Sequence, residues 1–145
     1  MTETSAGGFS AQEREAMASR AAELRAQGRS TDKRASGLKA VLERIEKMDE
    51  PDRALALKVH ELVTGVAPQL MPKTWYGMPA YANEQGKVVV FFQDAGKFKS
   101  RYCTLGFQDV AHLDDGPMWP TSFALTQWTP GVESVLRGLV GSAVS

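Results

Sequence analysis

The sequence predicts an α+β domain: an antiparallel sheet of about five strands, packed by helices on one face, with an extra N-terminal helix. Three observations lead there. Residues 38–49 and 51–68 each repeat large apolar side chains at helical spacing. The run "KVVVFFQ" (87–93) is almost wholly apolar, bounded by turn residues, and too short for a helix. The segments around it are short, β-compatible and joined by tight turns, so neighbouring strands return antiparallel and need helices to cover them.

The chain opens with "MTETSAGGF", small and polar, which reads as disordered. A helix is expected next. Ser10 and Glu13 form a capping box, and Gly28 is a natural stop. Its apolar stripe is thin (Met17, Ala21, Leu24), which suits a loosely docked arm or a surface for a second copy of the chain. Residues 28–37, "GRSTDKRASG", read as a flexible linker. The predicted division is therefore an arm and linker over 1–37 and an α+β domain over 38–145.

In the domain, Leu38, Val41, Leu42, Ile45 and Met48 mark the buried face of one helix, and Leu55, Val59, Leu62, Val63 and Val66 that of the next. Pro51 suits that second helix's first position. "KTWYG" and "PAYAN" read as short strands, "NEQG" as a turn, and "DAG" as another. "KFKSRYCTLGF" (97–107) alternates, so it reads as a strand with Lys97, Lys99, Arg101 and Cys103 on one face. Residues 108–120 read as a loop and 121–127 as a returning strand. Thr129 caps a final helix that begins with Pro130 and buries Val132, Val135, Leu136, Leu139 and Val140.

Composition narrows the function. A hydrophobic fraction of 43% suffices for a core in a chain of 145 residues. A formal net charge of zero argues against a nucleic-acid partner, although a local basic patch can hide within a balanced total. The lone cysteine, Cys103, excludes an internal disulfide, suits a reducing cytoplasm, and reads as a small buried hydrophobe. One cysteine and two histidines are too few for a structural zinc site. No apolar run reaches the ~20 residues of a membrane span, and no secretory signal is legible. No phosphate loop, nucleophile elbow or zinc-protease motif is present, so a catalytic role has little support, although a His-Asp-Ser set can still assemble in space.

One further feature is a resemblance. The stretch "APQLMPKTWYGMPAYANEQGKVVVFFQDAGKFK" resembles the YdhG-like family of small domains of unknown function. The matching positions are Pro68, Trp75, Tyr76, Gly77, Met78, Pro79 and Tyr81, and "FALTQWTPGVESVLRGLV" resembles the family's last strand and helix. The likeness covers roughly residues 38–142. It implies a fold like frataxin in outline, a kinship for which relatives are often labelled iron chaperones; iron enters here only by that analogy. The chain departs from the pattern in having no His in "KFKSRYCTLGF" and in its N-terminal extension.

Two candidate sites follow. Trp75, Tyr76, Met78 and Tyr81, with Trp119 and Phe123, either wall a recess for a small, partly apolar ligand or plug one end of the core. Lys99 and Arg101 would hold an anion at its mouth. Asp109, His112, Asp114 and Asp115 lie close enough in one loop to converge on a metal, or else cap backbone amides. The acidic residues Glu43, Glu46, Asp49, Glu50 and Asp52 alternate with Lys39, Arg44, Lys47 and Arg53, the pattern of a salt-bridged surface. His60 reads as a packed side chain. The expected function is non-enzymatic binding of an unidentified small ligand, with metal handling or association through the N-terminal helix as alternatives.

Overall fold

Helices over residues 30–46 and 52–66 lead into a five-stranded meander that a last helix closes. This is the arrangement in a computed structural model, which describes residues 11, 13–14, 17–18 and 30–145. The chain divides into two compact units, Met1–Ala35 and Ser36–Ser145, and the second carries the sheet. The expected capping box and Gly28 stop of the N-terminal helix involve Ser10 and Gly28, which lie outside the described residues. Among the described residues no helix is long and apolar enough to cross a membrane.

Helix α1 spans Ser30–Glu46. It starts inside the stretch expected to be a linker, where Lys33, Arg34 and Ala35 are good helix formers and no proline intervenes. Val41 and Ile45 are fully buried, with Met48 just beyond the helix, whereas Leu38 and Leu42 stay largely exposed. Only the narrower half of the expected stripe faces the core. Gly37 is required where α1 crosses the start of the sheet: a β-carbon there would lie 2.0 Å from the Pro72 carbonyl oxygen.

Helix α2 spans Asp52–Val66 and buries Leu55, Val59, Leu62 and Val63. Pro51 stands one position earlier than expected, as the N-cap, and the Glu50 carboxylate accepts the Ala54 amide at 3.2 Å. Strands β1 (Met71–Trp75), β2 (Met78–Ala82), β3 (Val88–Gln93), β4 (Cys103–Phe107) and β5 (Ser122–Leu125) pair in chain order, all antiparallel. A one-turn helix, α3 (Ala95–Phe98), joins β3 to β4, and α4 (Pro130–Ala143) packs on α2. Thr129 caps α4 as expected, its hydroxyl accepting the Val132 amide at 3.1 Å. Val135 points outward instead of into the core, because Leu136, Val140 and Ala143 already define the buried stripe.

Register sorts the side chains onto two faces. Tyr81, Val90 and Phe107 line up on one face, with Phe92 and Leu105 beside them, and all join the core formed with α1, α2 and α4. On the other face Lys73, Ala80, Phe91, Gly106 and Ser122 form one row, and Trp75 opposes Met78 in the next. A bulge between β2 and β3 leaves Val89 as an extra residue, so Val89 and Val90 both enter the core.

The last two strands are shorter than expected, β5 covering Ser122–Leu125 of residues 121–127 and β4 starting late. Residues 97–102 do not extend β4. Lys97 and Phe98 belong to α3, Lys99 is its left-handed cap, and pairing begins only at Cys103. The Gly96 amide donates to the Asp52 carboxylate at 2.8 Å, which holds a helical turn here, and Lys99 takes a φ of 55° that stops the extended alternation.

Candidate functional site

The aromatic motif is split by the sheet. Trp75 ends β1 and Met78 begins β2, so Tyr76 and Gly77 alone make the hairpin loop. Their φ values are 50° and 75°, the signature of a type I′ turn, whose twist matches paired strands. Glycine takes this conformation freely, but tyrosine does so rarely. Tyr76 is 79% exposed, whereas Tyr81, five residues on, is 1% exposed on the helix-covered face.

Tyr81 is a core residue with one polar contact, a 2.8 Å hydrogen bond between its hydroxyl and His60 Nδ1. Burial pushes the phenol up from its ordinary range. Burial also lowers His60, with Glu61 opposing part of the effect. The expected packed role for His60 therefore holds, and Tyr81 cannot share a recess with Trp75.

Trp75 instead belongs to an aromatic strip on the second face. Its ring meets Tyr76 edge-on at 5.0 Å between centroids and Phe91 at 5.4 Å. Ala80 lies in register between β1 and Phe91, and Gly106 lies directly opposite Phe91. A β-carbon on Gly106 would come within 2.2 Å of the Phe91 ring, so the glycine gives that ring its seat. Beside Trp75 an open groove of about 330 Å³ is lined by Lys73, Lys87, Val88, Gln108, Asp109 and Val110. Sequence reasoning did not single out Lys73 or Lys87. The signal was available: Lys73 alternates with Trp75 and so shares its face.

The turn is held from behind. Arg44 of α1 donates from Nε to the Gly77 carbonyl at 2.7 Å and from its terminal nitrogen to both Asp94 oxygens at 2.9 and 3.2 Å. Asp94 is buried and Arg44 nearly so, which makes this pair far less screened than a surface bridge. Asp52, expected among the exposed acids, is also buried. It accepts the Gly96 amide at 2.8 Å and the Cys103 thiol at 3.3 Å. Burial, with Asp52 adding to it, pushes the Cys103 thiol up to about 12, so it remains a protonated donor.

Lys99 and Arg101 do not stand on the sheet beside Trp75. They are exposed on the loop between α3 and β4. Trp119 lines a separate groove of about 310 Å³ with Phe107, Asp109, Leu113 and Asp114. The loop acids are not gathered either. His112 bonds through Nδ1 to the Ser145 carbonyl and through its amide to Ala143, while Asp114 and Asp115 face solvent. Among the described residues no three His, Cys, Asp or Glu side chains could hold a metal together.

The architecture is thus an open α+β sheet with one face covered and an aromatic strip on the other. No family model matches the chain, and neither a curated protein nor a solved structure is significantly similar to it.

Proposed function

We propose that the domain is a non-enzymatic binding protein whose ligand lies on the open face of the sheet, a reading that keeps the YdhG-like resemblance as a proposal resting on the "TWYGMPAY" residues. The observation that carries it is the groove at Trp75. A half-buried indole forms one wall, Val88 and Val110 add apolar surface, and Lys73 and Lys87 supply two ammonium groups. A flat ligand with an anionic group fits that chemistry: its ring lies on the indole and its charge reaches a lysine. Asp109, also in the lining, would disfavour a second negative charge.

An open groove of this size gives modest affinity. At about −0.3 kcal/mol per non-hydrogen atom, a ligand of ~15 atoms binds in the high-micromolar to millimolar range. Titration calorimetry with a panel of aromatic monocarboxylates tests the reading. Binding that Trp75→Ala and Lys87→Glu each weaken at least tenfold is expected. Saturable binding indifferent to both substitutions, or no binding across the panel, overturns it.

A further inference from the structure

The end of the sheet that carries Tyr76 also carries "KFKSRY" (97–102), and this surface adjoins the groove at Trp75 through the Tyr76–Trp75 ring contact but shares none of the residues that line it. Lys97 reaches the hairpin tip: its Nζ occupies the space where a β-carbon on Gly77 would lie, 2.0 Å away. The ammonium also sits 5.6 Å from the Phe98 ring centroid, and the Arg101 guanidinium 5.3 Å from that of Tyr102. Phe98 and Tyr102 are each 37% exposed. Lys99 and Arg101 are exposed on the same loop. Among the described residues no carboxylate pairs with Lys97, Lys99 or Arg101. The two nearby acids are committed inward, Asp94 to Arg44 and Asp52 to Gly96 and Cys103.

This loop is built to stay in place. The Gly96 amide is fixed on Asp52, the Ser100 amide donates to the Ala95 carbonyl at 3.0 Å, and Lys99 closes α3 in the left-handed region. The adjoining tip is fixed by Arg44 on the Gly77 carbonyl. Tyr76 is the telling residue. Asparagine or glycine would suit its φ of 50° better, and its exposed ring adds little to the core. A large aromatic kept in a disfavoured conformation at an exposed position points to a partner.

From cations interleaved with exposed rings on a rigid end, we infer that this surface binds single-stranded nucleic acid, phosphates on Lys97, Lys99 and Arg101 and bases on Tyr76 and the neighbouring rings. Stacking tolerates any base and cations track the backbone, so binding is independent of sequence. The balanced charge of the whole chain is no obstacle, because only the local field at this end meets the strand.

The test uses the full chain and fluorescence anisotropy with labelled 12-mers of thymidylate and uridylate. Binding near 10⁻⁵ M at 50 mM salt is expected, with a slope of about −2 in log K against log salt, from ~0.7 per phosphate for three cations. Binding of either strand supports the proposal, and the tighter one names DNA or RNA as the source. Lys99→Asn with Arg101→Gln should reduce the slope to about −1; asparagine tolerates the left-handed cap, so this variant stays folded. Tyr76→Asn suits the turn and should weaken binding at least tenfold without lowering thermal stability. Lys87→Glu, in the groove, should leave oligonucleotide binding within twofold, which separates this proposal from the small-ligand reading. The inference is overturned by no binding at 50 mM salt, by equal binding of an abasic strand or of polyglutamate, or by indifference to the loop and Tyr76 variants.

Discussion

Phe91 and Phe92 are adjacent in β3 and live in different environments. Phe92 is fully buried against α1, α2 and α4, and Phe91 lies half-covered over Gly106 on the other face. The same contrast separates Tyr81 from Tyr76 and the Arg44–Asp94 pair from Lys99 and Arg101. Residues of one chemical type hold the fold together where they are buried and remain available on the open face of the sheet, the hairpin tip or the loop after α3. Burial, not residue type, decides which aromatic groups can meet a ligand.

That contrast can be broken by measuring it. Phe92→Ala removes a ring from a close-packed site and should destabilise the domain by about 3–5 kcal/mol. Phe91→Ala loses only part of its apolar transfer energy and should cost about 1–1.5 kcal/mol. Urea unfolding of both variants checks this. Equal losses would mean that the second face is as tightly packed as the first.

The polar counterpart is next in size. Asp94→Ala leaves the Arg44 guanidinium largely buried with only the Gly77 carbonyl as a partner. A loss of about 3 kcal/mol is expected, as for a buried pair broken on one side. Arg137→Ala removes a partner of Glu133 in an exposed, solvent-screened pair and should leave the urea midpoint almost unchanged. The urea midpoints of the two variants should differ accordingly.

Element type was largely legible because helical and strand periods leave different marks. Val41 and Ile45, Leu62 and Val63, and "VVVFF" each carried theirs. Facing was harder to read. The motif "TWYGMPAY" looks like one cluster along the chain, but a two-residue turn and strand alternation send Trp75 and Tyr81 to opposite sides. "KFKSRY" alternates like a strand, and only hydrogen bonding to Asp52 and the Lys99 cap turn it into a helical corner. Arg44 and Asp94 are 50 residues apart, and no local pattern announces a pair that the fold alone brings together.

A small effect concerns His60, where the covered face meets solvent. Its neutral ring bonds the Tyr81 hydroxyl, and burial holds its basicity below the ordinary value of 6.5. The unfolded chain therefore binds the proton more readily than the folded one. The stability this contributes is complete above pH 6.5 and falls as the pH drops below it. Tyr81→Phe removes the hydroxyl while keeping the ring's packing, and should cost about 1 kcal/mol at pH 7.5 for one lost hydrogen bond. Replacing His60 with Gln should flatten the decline in urea midpoint between pH 7.5 and 5.5 relative to the parent chain. An unchanged decline would show that His60 is solvated well enough to titrate alike in both states, and would move the boundary of the covered face inward to Tyr81.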